Sequence, residues 1–347
     1  MILAAVRLAY VSTCTVSSRE LDEPLAATAA TARTWLLIEQ PGPWGVDALR
    51  HSRLDAGLGA DLSGRSEGTG VRVALIRRPG PHAHRSGTGS RRVFAAHTVP
   101  GRSWIRSARL DALDELWGLD LAGLGAGRHS GLWEPHRGDP LALVCTNGKR
   151  DRCCAVLGRP LAAELAASGD ADVWEVTHIG GHRFSPTLVV LPHGYAYGRA
   201  DAPLVKEVLT ALRDGHVVTG HCRGRSCWER PGQAAELAVR DLTGEPHADA
   251  LTVTGTRPHS DRARGAADLG DAWAVTVSHR DGRSWRVNVV AAADRPPIAA
   301  SCGAALTRQP PMEISAITAL TPVSPAASVT SEASPASARR LRPRRHR

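Results

Sequence analysis

Long apolar runs are missing from this 347-residue chain: no stretch reaches the ~18 consecutive apolar residues expected of a membrane-spanning helix. Lysine is nearly absent, with Lys149 and Lys206 the only two. Aromatic residues make up 4% of the chain, and Phe94 and Phe184 are the only phenylalanines. That scarcity argues against a platform of rings stacking single-stranded bases. The seven cysteines are odd in number and too widely spread for a disulfide-dense secreted scaffold. The opening MILAAVRLAYVSTC is interrupted by Arg7 and too short in its apolar part for a secretory signal, and Thr13 is a poor residue before a lipoprotein-type Cys14. A cytoplasmic location is expected, where clustered Cys and His mean metal or redox chemistry before disulfides.

What is present begins with charge. The formal net charge is +9, but the nine residues from Arg339 to Arg347 hold six arginines and no acid, leaving +3 for the rest. The body is therefore close to balanced. From about Thr307 a run rich in Pro, Ser, Ala and Thr leads into RRLRPRRHR, and residues 305–347 are expected to form a disordered basic tail. Such a tail is a solvated end whose contact with nucleic acid is weak, and no other nucleic-acid surface is expected.

Periodicity predicts an α/β (α+β) chain with mixed sheets. In the first half, residues 34–42 read as a buried strand, 45–62 as a helix, 70–78 and 91–99 as strands, and 108–124 as an amphipathic helix with leucines at helical spacing. In the second half, 141–145 is a strand, 156–168 a helix, 172–179, 187–194 and 194–200 strands, and 202–215 a helix. Both halves share one order, which suits two thioredoxin-like domains and an internal duplication. The expected organisation is an N-terminal domain over 1–134, a second over 135–215, a small α+β region over 216–304 and the tail. The small region reads as a helix over 231–244 and strands over 250–258, 272–280 and 284–293, the last two joined at Asp281-Gly282.

Reactive residues concentrate in the second half. CTNGKRDRCCAVLG puts Cys145 at a strand end and Cys153-Cys154 at the start of the next helix, and THIGGHRF puts His178 and His182 just after the following strand. In a strand–helix–strand unit both segments emerge at one sheet edge, so four soft or borderline ligands can converge. Gly180 and Gly181 allow the left-handed backbone that would aim both imidazoles inward, and a helix N-terminus favours the Cys154 thiolate. Two Cys and two His suit a tetrahedral zinc ion or a [2Fe–2S] cluster, and the vicinal cysteines suit a reactive thiol pair; spacing does not separate the three. His221, Cys222 and Cys227 are a weaker second candidate for a metal or disulfide, and a structural role is expected for these cysteines. Cys14 and Cys302 have no neighbouring ligand pattern. The glycine-rich GLGAGRHSG follows a helix instead of a strand, which argues against a nucleotide loop, and no pair of carboxylates suits glycoside hydrolysis.

CTNGKRDRCC, DVWEVTHIGGHRF, TLVVLPHGYAYGR and RGRSCWERPGQAAE, with WLLIEQPGPWG and Ser301-Cys302-Gly303, resemble the sucrase/ferredoxin-like family. The resemblance covers nearly the whole body and excludes the tail. It implies a thioredoxin-like fold and a [2Fe–2S] cluster held by Cys145, Cys154, His178 and His182, with Cys153 an adjacent thiol. The implied function is one-electron transfer with an unidentified redox protein, or redox sensing, without turnover by protein side chains. Neutral imidazoles raise the potential of such a cluster above an all-cysteine one, and a ligand's second ring nitrogen can couple reduction to proton uptake. Asp151, Arg152 and Arg183 flank the ligands, either tuning the sulfurs by hydrogen bonds or forming a solvated rim. A zinc-stabilised binding module and a thiol oxidoreductase using Cys153 and Cys154 are the alternatives.

Overall fold

The structure, a computed structural model, describes residues 13–80, 89–169, 171–258, 271–292 and 296–321. The arginine-rich end, 322–347, and the first twelve residues lie outside that set.

A short helix α1 (Cys14–Glu20) precedes the first unit, which runs β1 (Thr34–Glu39), α2 (Ala56–Ser66), β2 (Val71–Arg77), β3 (Arg91–His97), β4 (Trp104–Leu110), α3 (Leu121–Gly125) and β5 (Glu134–Pro135). The second runs β6 (Leu141–Cys145), α4 (Arg152–Ser168), β7 (Asp172–Val176), β8 (Leu188–Leu191), β9 (Tyr195–Tyr197), α5 (Ala202–Arg213) and β10 (Cys222–Arg225). All ten strands form one mixed sheet, in the order β10-β9-β8-β6-β7-β2-β1-β3-β4-β5. In each half a parallel pair, β1 with β2 or β6 with β7, is followed by antiparallel strands added on the other side. The halves meet where β2 and β7 pair antiparallel, Ile76 opposite Val176 and Arg77 opposite Glu175.

Burial explains the strand sequences. Trp35 and Leu37 of β1, Ala74 and Ile76 of β2, Leu143 and Cys145 of β6, and Trp174 and Val176 of β7 share one core that crosses the seam. The alternate residues Leu36 and Ile38 pack into a core under α2 and α3, and Ala142 and Val144 into one under α4 and α5. Strands buried on both faces read as unbroken apolar runs, which is how LLI and LALV look in the sequence.

Three sequence expectations change. The helix expected over 45–62 is confined to α2, because Asp55 is its N-cap and accepts the Leu58 N–H at 2.8 Å. The helix expected over 108–124 divides into the end of β4, a 3-10 turn at Leu113–Gly118 and α3. Pairing with β3 claims the chain as far as Leu110, and Asp120 restarts a helix by accepting the Gly123 N–H at 2.8 Å. The leucine spacing still reports burial, since Leu110, Leu116, Leu121 and Leu124 enter one core. The third change lies in the residues expected to begin a disordered tail at 305. There, β15 (Leu306–Thr307) pairs with β14 (Ile298–Ala299), and β16 (Met312–Leu320) pairs with β13. Met312, Ile314 and Ile317 pack against an apolar core, which draws this segment into a sheet despite its Pro- and Ser-rich continuation.

That second sheet has the order β11-β12-β13-β16, with β11 (Leu251–Pro258), β12 (Ala272–His279) and β13 (Ser284–Ala291). Its valines pack on α6 (Arg230–Thr243) through Ala234, Ala235 and Val239. β10, sequence-adjacent to this region, belongs to the large sheet.

At the seam, the Arg77 guanidinium pairs with Glu175 at 2.7 Å and stacks on Trp44 at 4.0 Å, with both charged groups buried. Thr146 also donates to Glu175, at 2.9 Å. Glu175→Ala leaves a buried guanidinium without its carboxylate and is expected to cost about 3–5 kcal/mol in urea unfolding. Arg213→Ala, which removes an exposed pair with Asp139, is expected to cost about 1 kcal/mol or less. Where α4 crosses β6, a Cβ on Gly158 would lie 2.2 Å from the Cys145 carbonyl oxygen. Gly158→Ala is therefore expected to lower stability by about 1–3 kcal/mol in thermal melts. Gly64→Ala, in open space within α2, should be neutral or stabilising by about 0.5–1 kcal/mol.

Candidate metal centre

β6 and β7 are adjacent and parallel, so the segments leaving their C-terminal ends open onto the same edge. Cys145 is the last residue of β6. The chain then turns to Asp151, the N-cap of α4, whose carboxylate accepts the Cys153 N–H at 2.8 Å. Cys154 thereby falls in the first helical turn, facing back toward the strand end. Beyond β7, Gly180 and Gly181 take φ of 82° and 71°, as expected from the double glycine. They turn His178 and His182 toward each other, the second on a 3-10 turn over His182–Phe184.

Three of the four expected residues come together, and the fourth lies beside them. One ligand atom each from Cys145, Cys154 and His178 lies within 4.8 Å of the others. His182 adjoins that trio through His178, with ring centroids 4.7 Å apart and Nδ1 atoms at 3.4 Å. Both cysteines and His182 are buried, while His178 is half-buried at the end of an open groove lined also by Ser66, Glu67 and Arg72.

Electrostatics prepare the group for a cation. Cys154 donates to Cys145, and with His178 and the Ile179 N–H nearby this holds the Cys145 thiol well below the usual range. Cys154, sharing its proton with that sulfur in a buried place, is pushed up. Burial, aided by His178, brings His182 down to about 4, so its ring is neutral and has a lone pair to offer at neutral pH.

Two arginines brace the loop. Arg72 of β2 donates to the His178 carbonyl at 3.0 Å, and Arg223 of β10 to the Gly180 carbonyl at 3.1 Å and to Thr28. Arg223 is fully buried, and burial brings it down to about 10, which leaves it charged at neutral pH. A Cβ on Gly181 would lie 2.0 Å from its guanidinium, so the second glycine is needed for space as well as for φ. Sequence reasoning missed both arginines as site residues. Arg72 left a signal as a charge inside the expected strand GVRVALIRR, whereas Arg223 lies in a segment, CRGR, not expected to form a strand.

The arginines singled out beside the ligands behave differently. Arg183 is bound by Glu23 at 2.7 Å and lies over Phe184, and Arg152 is exposed. Cys153 turns away from Cys154, toward Cys14 at 3.7 Å and Cys302 at 3.3 Å. Those two cysteines showed no ligand pattern in sequence because their partners lie more than a hundred residues away. Cys222 and Cys227 are buried, and burial pushes their thiols up to about 12, as suits the structural role expected of them.

Among the described residues, no helix is long and apolar enough to cross a membrane. Among curated proteins, a 97-residue stretch is 29% identical to "Altered inheritance of mitochondria protein 32" of Meyerozyma guilliermondii. That alignment covers 25% of this chain and 34% of the relative, so the chain spans about a third of the relative's length. No solved structure matches. The profile of the sucrase/ferredoxin-like family matches residues 25–224, which is more than half of the chain and includes Cys145, Cys154, His178 and His182. The chain belongs to the sucrase/ferredoxin-like family.

Proposed function

We propose that this chain is a ferredoxin-like protein whose Cys145, Cys154, His178 and His182 hold a [2Fe–2S] cluster for one-electron exchange with a protein partner, or for redox sensing. The observation that carries the reading is the convergence of two thiols and two imidazoles at the carboxyl ends of two parallel strands. The donor set fits the group: the Cys145 sulfur is already biased toward thiolate, and the His182 ring is neutral. When bound, the cluster supplies a one-electron couple, at a potential above that of an all-cysteine ferredoxin.

The chain's own residues set its surroundings. Arg72 and Arg223 place two positive charges against the histidine loop, which favours the more negative, reduced state. Ile179 directs its N–H at the Cys145 sulfur. α1 lies over His182, whose carbonyl accepts from the Thr15 hydroxyl at 3.2 Å, and so keeps that ligand from water. His178, at the end of its groove, is the ligand nearest solvent and the natural edge for a partner to approach.

A single zinc ion is the second reading, because the three ligand atoms within 4.8 Å are compact enough for one tetrahedral centre. A vicinal dithiol oxidoreductase is disfavoured, since Cys153 and Cys154 face different partners. Anaerobic purification followed by iron, sulfide and zinc analysis, with visible and EPR spectra, separates these readings. Iron and sulfide in equal amounts are expected, with a visible spectrum that bleaches and an EPR signal that appears on one-electron reduction. A colourless protein that binds only zinc here, even after cluster reconstitution, would overturn the cluster. His178→Cys should lower the midpoint potential, read by redox titration, because a thiolate adds negative charge where a neutral ring stood; an unchanged potential would remove His178 from the ligand set.

A further inference from the structure

A second group of reactive side chains lies beside the first. Cys14 opens α1, Cys153 sits in the first turn of α4, and Cys302 lies between β14 and β15. Their sulfurs form a triangle with sides of 3.7, 3.3 and 3.6 Å. Asp151 completes the group, its carboxylate oxygens 3.6 and 3.9 Å from the Cys14 sulfur, and one ligand atom from each of the four lies within 4.8 Å of the rest.

We propose that Cys14, Cys153, Cys302 and Asp151 form a binding site for a single soft divalent cation of the zinc class, separate from the Cys145–His182 centre. The geometry favours an ion over other uses of the thiols. Zinc–thiolate bonds of about 2.3 Å at tetrahedral angles put the sulfurs about 3.8 Å apart, close to the triangle seen. A disulfide requires about 2.05 Å and joins two sulfurs, leaving the third without a role. The carboxylate adds a hard negative charge where a purely thiol site would have none. Asp151 is 4% exposed, and both its oxygens are already aimed by backbone amides, one accepting from Cys153 and the other from Cys302, each at 2.8 Å. A cation held by this carboxylate and the three sulfurs would offset the charge of the buried group. The Thr15 backbone N–H and the Thr13 hydroxyl face the Cys153 sulfur, the outer contacts that orient a metal-bound thiolate.

The ligands come from segments up to 288 positions apart. A cation there would clasp α1, which lies over His182, to the start of α4 and the β14–β15 turn. Its role is structural. Consecutive residues, Cys153 and Cys154, then serve the two centres, so one helical turn sets the position of both.

The test uses the full chain purified anaerobically, with Zn²⁺ for stoichiometry and Co²⁺ as the spectroscopic probe. Cys145→Ser/Cys154→Ser should keep one equivalent of Zn²⁺ and show the intense thiolate-to-Co²⁺ near-ultraviolet bands and visible bands of a tetrahedral site. Cys14→Ser/Cys302→Ser should lose that equivalent and those bands while retaining the iron and sulfide of the unaltered chain. Added Zn²⁺ should raise the melting temperature of the first variant and not of the second. If the buried pair of substitutions unfolds the chain, Cys302→Ala alone, at a partly exposed turn, carries the same comparison against the unaltered chain. The proposal is overturned if Zn²⁺ and Co²⁺ binding are equal with and without Cys14 and Cys302, or if the unaltered chain binds neither ion at this group. A Cys153–Cys302 disulfide found by mass spectrometry in the anaerobic protein would overturn it as well. Because iron and sulfide are read separately, a missing cluster and a missing second ion give different results.

Discussion

Everything at the centre depends on two strands running parallel, side by side, and stopping at the same level. With β6 beside β7, Cys145 ends one strand as Val176 ends the other, and the histidine loop begins two residues later. The remaining features keep that coincidence from drifting. Gly158 lets α4 lie against the Cys145 carbonyl, and Asp151 fixes where the helix starts, hence where Cys154 points. Gly180 and Gly181 reverse the chain, and two guanidinium groups grip the carbonyls of the reversed segment. None of these contacts is chemical machinery by itself. Together they convert four side chains from separate segments into one donor set.

The half of the sheet that contributes none of the four proposed ligands is part of this support. Its β1 and β2 have the same relation as β6 and β7, but β1 ends in Glu39 where β6 ends in Cys145, and β2 ends in Arg77. Arg77 crosses the seam to Glu175, and Arg72, on the same strand, reaches the His178 loop. The first half thus contributes positive charge to a centre built by the second. Its buried arginines tolerate burial because carboxylate, carbonyl and aromatic partners surround them. The two halves share a strand order, and the first supports the centre through its side chains.

Much of this was legible in the residues. Buried strands announced themselves as apolar runs, and the ligand set stood out because thiols, imidazoles and paired glycines fell at strand ends. The helix expected over 108–124 failed for a physical reason: leucine spacing records which side is buried, and strand pairing with β3 was a stronger claim on Trp104–Leu110 than helical propensity. β16 was hidden because its alternation is brief and its neighbours are rich in proline and serine. The triangle of Cys14, Cys153 and Cys302 was illegible for a different reason. Its members are local to nothing, and only the packing of α1 and the β14–β15 turn against α4 brings them together.

The seam between β2 and β7 has a further consequence. In either half taken alone, that strand would be the open side of its sheet, with unpaired N–H and C=O groups beside the functional loop, the form of surface that recruits foreign strands. Joining the halves there closes both, and the Thr177 N–H donating to the Leu75 carbonyl extends the closure past the end of β7. The outer strands of the large sheet are β5, two residues long, and β10, four residues long with a bulge between Cys222 and Gly224 and with the Arg223 carbonyl bonded by the Thr28 N–H. Brief, irregular margins of this kind resist templated growth. Pairing β2 with β7 therefore closes the sheet edges beside the functional loop as well as bracing the centre, and it ties those two benefits to the same pair of strands.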